Sequence, residues 1–66
     1  MIFRNKEAKD MIPLIIENNL EFSKGIVSGN SIEILEKDPE SHTSIVYYDD
    51  MESRDHDFEM LQNIIM

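Results

Sequence analysis

Cysteine is absent from this 66-residue sequence. That excludes disulfides and thiolate zinc sites, two of the devices that hold small domains together. A domain of this size buries only about 60% of the surface its unfolded chain exposes, so it is marginal alone. Self-association is the common device that remains. The expectation is one domain over residues 1–66 that forms a homodimer. Glycine is scarce: Gly25 and Gly29 stand alone, and neither belongs to a glycine-rich phosphate loop. Basic residues are few, six against 14 acids. Affinity for phosphates comes mainly from clustered Lys and Arg, so direct nucleic-acid binding is disfavoured. The apolar run Met11-Ile12-Pro13-Leu14-Ile15-Ile16 is far short of the ~20 residues a membrane span needs. It also lacks the small-residue cleavage site of a signal peptide. The sequence reads as soluble and cytoplasmic, with no membrane partner.

Signatures of catalysis are missing as well. Ser41-His42, and Ser53 with His56, lack the glycine-bounded turn that exposes a nucleophilic serine. So short a chain is expected to leave no room around them for a pocket of the usual ~300 Å³. Asp55-His56-Asp57 with Asp49-Asp50 offers oxygen and imidazole ligands, but it matches neither HExxH nor a calcium loop. His56 reads instead as a solvent-facing helix residue among acids. The expectation is no enzyme, no cofactor and no metal.

What is present is regular aliphatic patterning. Met11, Ile12, Ile15, Ile16 and Leu20 recur at helical spacing, with either Asn5 or Asp10 as the cap. Capping at Asp10 puts Pro13 in the first turn, where its missing N–H costs nothing; capping at Asn5 puts it in the interior, where it kinks the helix. Lys24-Gly25 reads as the end of this helix. Ser28-Gly29-Asn30-Ser31 is a turn signal, and Ile26-Val27 begins extended structure. Residues 32–36 alternate, 37–41 form a loop around Pro39, and Thr43–Tyr48 is β-branched and aromatic. These two segments are expected to pair antiparallel. In such a strand Tyr47 and Tyr48 point to opposite faces. The last helix runs from about Asp50 to Ile65, capped by Asp49 with Glu52 three residues on. Its apolar face is Met51, Phe58, Leu61 and Ile65, widened by Met60 and Ile64. The fold class is therefore α+β: a small α-β-β-α domain with one antiparallel hairpin on helices. Met1-Ile2-Phe3 fits either a further strand or an ordered tail.

Charge is divided unevenly along the chain. Residues 1–32 hold four acids and four bases, so the whole net charge of −8 lies in residues 33–66. Six acids fall within 49–59. On a helix, Glu52, Asp55 and Glu59 lie opposite Phe58, Leu61 and Ile65, spaced ~4.5 and ~6 Å along the axis. Duplex DNA carries a phosphate every ~3.4 Å on each strand. A charged stripe opposite an apolar one is common to amphipathic surface helices. Acids near a helix N-terminus also suit its dipole. Neither accounts for the shortage of bases, since solvated faces usually mix both signs.

The segment 49–59, with the neutral half before it, resembles small acidic phage-encoded inhibitors that act as DNA mimics. The resemblance lies in size, charge segregation and lack of cysteine, covers about half the chain and involves no motif. The balanced first half departs from it. It implies that an acidic face occupies the DNA site of a basic host protein: a nucleoid-associated protein, nuclease or transcription component. The candidate partner-binding residues are Asp49, Asp50, Glu52, Asp55, Asp57 and Glu59, then Glu33, Glu36, Asp38 and Glu40. Residues 60–66 carry no charged side chain, and Met60, Ile64 and Met66 are the candidate dimer interface. The rival reading is an adaptor or antitoxin-like regulator that binds through apolar faces.

Overall fold

The computed structural model describes residues 2–25, 29–35 and 44–65. Its elements are α1 (Lys6–Asp10), α2 (Ile12–Asn18), β1 (Glu21–Gly25), β2 (Asn30–Leu35), β3 (Ser44–Tyr48) and α3 (Met51–Ile65). The strands form one antiparallel sheet in the order β1-β2-β3. The class is α+β, and the strand added to the expected hairpin lies at Glu21–Gly25 rather than at the N-terminus.

Both capping alternatives for the first helix capture part of the outcome. Asn5 caps α1, its Oδ1 accepting the Glu7 N–H at 2.9 Å. The helix then breaks at Met11, and Pro13 sits in the first turn of α2, where no N–H is required. Asp10 caps neither helix. The expected helix end at Lys24-Gly25 is wrong. Asn19 adopts the left-handed conformation (φ 50°), and the Leu20 N–H reaches back to the Ile15 carbonyl at 3.0 Å. This closes α2 at Asn18. Residues 21–25 instead pair with 31–35, where ladder hydrogen bonds and the burial of one face outweigh helical spacing. Residues 2 and 3 are not in a strand.

The β2–β3 pairing matches the expected hairpin, with Ile32 opposite Val46 and Glu33 opposite Ile45. Gly29 has φ +87°, as the turn signal before β2 requires. Ile26, Val27, Ser28 and the 36–43 segment, including Glu36, the Pro39 loop, His42 and Thr43, lie outside the described residues.

Side-chain alternation divides the sheet. Ile32, Ile34 and Val46 are buried toward α3 and α2, joined by Ala8, Ile15, Leu20 and Leu61. Phe3, Met11, Phe22, Tyr48 and Ile65 pack around that core. The ring of Phe22 meets Phe58 edge-on at 5.4 Å between centroids, a favoured aromatic geometry. Two residues of the expected apolar stripes face outward instead, Ile16 at 56% and Met51 at 60% exposure, while Ile64, named as an interface candidate, is 44% exposed. No described helix is long and apolar enough to cross a membrane.

Candidate partner-binding surface

The six acids of residues 49–59 have three different fates. Asp50, one residue later than expected, caps α3: its Oδ1 accepts the Ser53 N–H at 2.7 Å. The hydrogen bond from the Ser53 backbone, then that from its side chain, holds the Asp50 carboxyl below its ordinary value. Asp49 and Glu52 are exposed beside it, and Glu59 is exposed two turns along. This part of the surface agrees with the sequence reading.

Asp55 is not a free carboxylate. Its Oδ1 lies 3.0 Å from Lys24 Nζ on β1 and 3.0 Å from an Arg54 guanidinium nitrogen. The hydrogen bond from Lys24, then that from Arg54, lowers its pKa. Lys24 also stands 5.3 Å from the centre of the Phe58 ring, so the cation is held by ring and carboxylate together. The expected row of Glu52, Asp55 and Glu59 is reduced to Glu52 and Glu59, ~10.5 Å apart along the helix.

Asp57 does not belong to the surface at all. It is fully buried. Its Oδ1 accepts the Arg4 N–H at 2.8 Å; its Oδ2 accepts the Asn5 N–H at 2.9 Å and the Tyr48 O–H at 2.7 Å. A buried carboxylate requires such donors, and here they join three parts of the chain. Its assignment to partner binding is therefore corrected: Asp57 ties the N-terminal segment to α3 and β3. His56 is only partly exposed. Its Nε2 lies 3.0 Å from the Ile2 carbonyl, so the tautomer protonated there donates to it. His56 Nε2 also lies 4.0 Å from Asp57 Oδ1, while Asp55 turns to Lys24 and Arg54. No group of three or more His, Cys, Asp or Glu placed to hold a metal occurs among the described residues.

Glu33 is half-buried on the face of the sheet away from α3, flanked by Ser23 and Ile45 across the ladder. Exposed Tyr47 shares that face, while Tyr48 turns inward. Glu36, Asp38, Glu40 and Met66 lie outside the described residues. Met60 is a further correction: it is buried within its own subunit, so it adds little to an apolar surplus at the end of α3.

Lys24, Tyr48 and the N-terminal segment were missed by sequence reasoning, since their partners are remote in sequence. So was a groove of about 560 Å³ whose lining comprises Ile2, Phe3, Ile12, Met60 and Ile64 with Lys6 and Lys9. Neither Ser53 nor His56, around which no such space was expected, is part of that lining. A hollow of about 230 Å³ between Arg4, Tyr47, Asp49 and Ser53 is smaller and lined mainly by polar groups. Comparison with protein-family models, with curated proteins and with solved structures finds no match to this chain.

Proposed function

We propose that this chain is a non-catalytic binding protein that covers the basic, DNA-contacting surface of another protein with the carboxylates around α3. One observation carries this reading. Of the cations beside that surface, Lys24 and Arg54 are engaged by Asp55. Arg4 shares a polar hollow with Asp49 and Asp50 without an ion pair to either among the described residues. Asp49, Asp50, Glu52 and Glu59 form no ion pair among the described residues. Glu52 and Glu59 are left to act outward, whereas the Asp50 carboxyl also caps α3. Glu52 and Glu59 are about three phosphate steps apart on the DNA spacing, and Asp49 and Asp50 extend the negative surface beyond the helix start. Complementary charge of this kind sets on-rate and register more than raw affinity.

The test is displacement. Purified basic DNA-binding proteins, among them a nucleoid-associated protein, a nuclease and a transcription component, are each loaded with fluorescent duplex DNA. Addition of the chain should release DNA from at least one, read by anisotropy. Glu52→Lys with Glu59→Lys should lose that effect while circular dichroism is unchanged. Raising salt from ~50 to ~300 mM should weaken the complex at least tenfold, because exposed charges are then screened. Release by the double variant as efficient as by wild type defeats the acidic-face reading.

The rival adaptor reading is favoured by a different observation. Ile2, at 82% exposure, and Ile64 both line the groove and leave apolar surface in water. A complex made there should be nearly insensitive to salt.

A further inference from the structure

We propose that the groove between the N-terminal segment, α1–α2 and the end of α3 binds a free fatty acid. Its hydrocarbon chain lies on Phe3, Ile12, Met60 and Ile64, and its carboxylate meets Lys6 and Lys9. The inference goes beyond the acidic-face reading, uses none of its carboxylates, and can hold or fail without it.

The walls of the groove come from three parts of the chain and are held in place. Ile2 and Phe3 directly precede the Arg4 and Asn5 N–H groups that Asp57 accepts. The Ile2 carbonyl also stands 3.0 Å from His56 Nε2. Met60, the buried member of the lining, has an unbranched thioether side chain that adapts to what lies on it. The site is therefore formed before any ligand arrives, as small-molecule sites usually are. Its volume of about 560 Å³ falls within their range. At the ~30 Å³ that a water occupies in the liquid, close to a methylene's share, this holds roughly 18 non-hydrogen atoms. Hexadecanoic acid has about that many.

The chemistry of the lining selects the ligand. Five of its seven side chains are apolar, and the other two are Lys6 and Lys9. Among the described residues no hydroxyl, amide or carboxylate side chain joins them. A ligand with polar groups along its length would lose their hydration there without compensation. The four charges of α1, Lys6, Glu7, Lys9 and Asp10, sum to zero, but they are divided by face. At 100° per residue, Lys6, Lys9 and Ile12 span about 120° centred on Lys9. Asp10 and Glu7 lie roughly 100° and 160° from that centre. Lys6 and Lys9 form no ion pair among the described residues. Their methylene stems can lie along the apolar wall while the ammonium groups stay at the rim. An apolar trough with two cations on its α1 edge fits one hydrocarbon chain with one anionic end. The net charge of −8 opposes approach to an anionic bilayer, so the acid is taken from solution.

The experiment is isothermal titration calorimetry on the full chain near neutral pH. The ligands are decanoate, dodecanoate and tetradecanoate, each below its micelle concentration. One molecule should bind per chain, and affinity should rise about tenfold for every two methylenes added. Decanol should bind more weakly than decanoate. Lys6→Gln with Lys9→Gln, both at exposed positions, should weaken decanoate roughly tenfold and leave decanol unchanged. Ile64→Asp, which sets a like charge beside the ligand, should abolish binding with circular dichroism unchanged. NOE contacts should join the Met60 methyl group to the ligand chain. Carboxylates that do not bind, an affinity indifferent to chain length, or NOE contacts that fall away from Met60 overturn the proposal. So does a double lysine variant as tight as wild type. Binding to phosphatidylglycerol vesicles, or to an acidic amphipathic helix of another protein, without binding of the monomeric acids also overturns it.

Discussion

Tyr48 donates its phenolic O–H to Asp57 Oδ2 at 2.7 Å, joining the last residue of β3 to the middle of α3. The same carboxylate receives the backbone N–H groups of Arg4 and Asn5. Asn5 in turn donates its side-chain amide to the Tyr47 carbonyl at 2.8 Å. One buried acid thereby organises the entry to α1, the end of β3 and the packing of α3.

Breaking this arrangement should be costly in a graded way. Tyr48→Phe removes one hydrogen bond to a charged group and leaves two, so a loss of about 1.5–3 kcal/mol is expected. Asp57→Ala strands two backbone donors and the Tyr48 hydroxyl, and should cost roughly 3–5 kcal/mol, enough to unfold a marginal domain. Urea unfolding followed by circular dichroism measures both. A Tyr48→Phe variant as destabilised as Asp57→Ala would contradict the graded role.

Alkaline pH should act through the same pair. Burial first, then the hydrogen bond to Asp57 and the Asp57 charge, pushes the Tyr48 phenol well above its ordinary value. The folded protein therefore holds this proton more tightly than the unfolded chain. The associated stability is fully present below about pH 10, the ordinary tyrosine value, and falls as pH rises beyond it. Urea midpoints measured on either side of pH ~10 should decline in wild type, and less steeply in Tyr48→Phe.

Gly25 faces Ser31 across the β1–β2 ladder. A Cβ at Gly25 would collide with the Ser31 hydroxyl, which is buried. Gly25→Ala should therefore destabilise by about 1–3 kcal/mol through overpacking. Adding Ser31→Ala removes the colliding oxygen and should recover much of the loss. Thermal melts of the two variants check the order, and a double variant less stable than Gly25→Ala would contradict it.

Asp55 offers an acid-side test. Its pKa is held down by hydrogen bonds from Lys24 and Arg54, so the stability linked to it is present above the ordinary carboxylate value. It is lost as pH falls through the lowered one. Lys24→Gln should return the Asp55 titration, read by carboxyl carbon NMR, toward the ordinary range. An unchanged midpoint would mean that the Lys24–Asp55 contact is not maintained in solution. The same variant removes one of the two cations on Asp55 while Arg54 stays in place, so the face becomes more negative by one charge and should bind a basic partner more tightly.

Local sequence determined the features whose physics is local. β-Branched and aromatic residues at 44–48 mark a strand, Gly29 marks the turn before β2, and the aliphatic spacing of Leu61 and Ile65 marks the buried side of α3. In one continuous helix Pro13 has two possible places; the break at Met11 lets Asn5 cap the first part and Pro13 start the second. Net charge was legible from composition, because counting requires no coordinates. Tertiary structure decided which of two local preferences prevailed. Residues 21–25 fit a helical pattern, yet pairing with β2 supplies ladder hydrogen bonds and buries Phe22, so they form a strand. Tertiary structure also decided which acids face water. Asp55 and Asp57 belong to the same charged run as Glu52 and Glu59, but Lys24 comes from a distant strand, and the donors to Asp57 come from Arg4, Asn5 and Tyr48. A carboxylate's role depends on the groups within hydrogen-bonding distance, and only the folded chain brings these groups together.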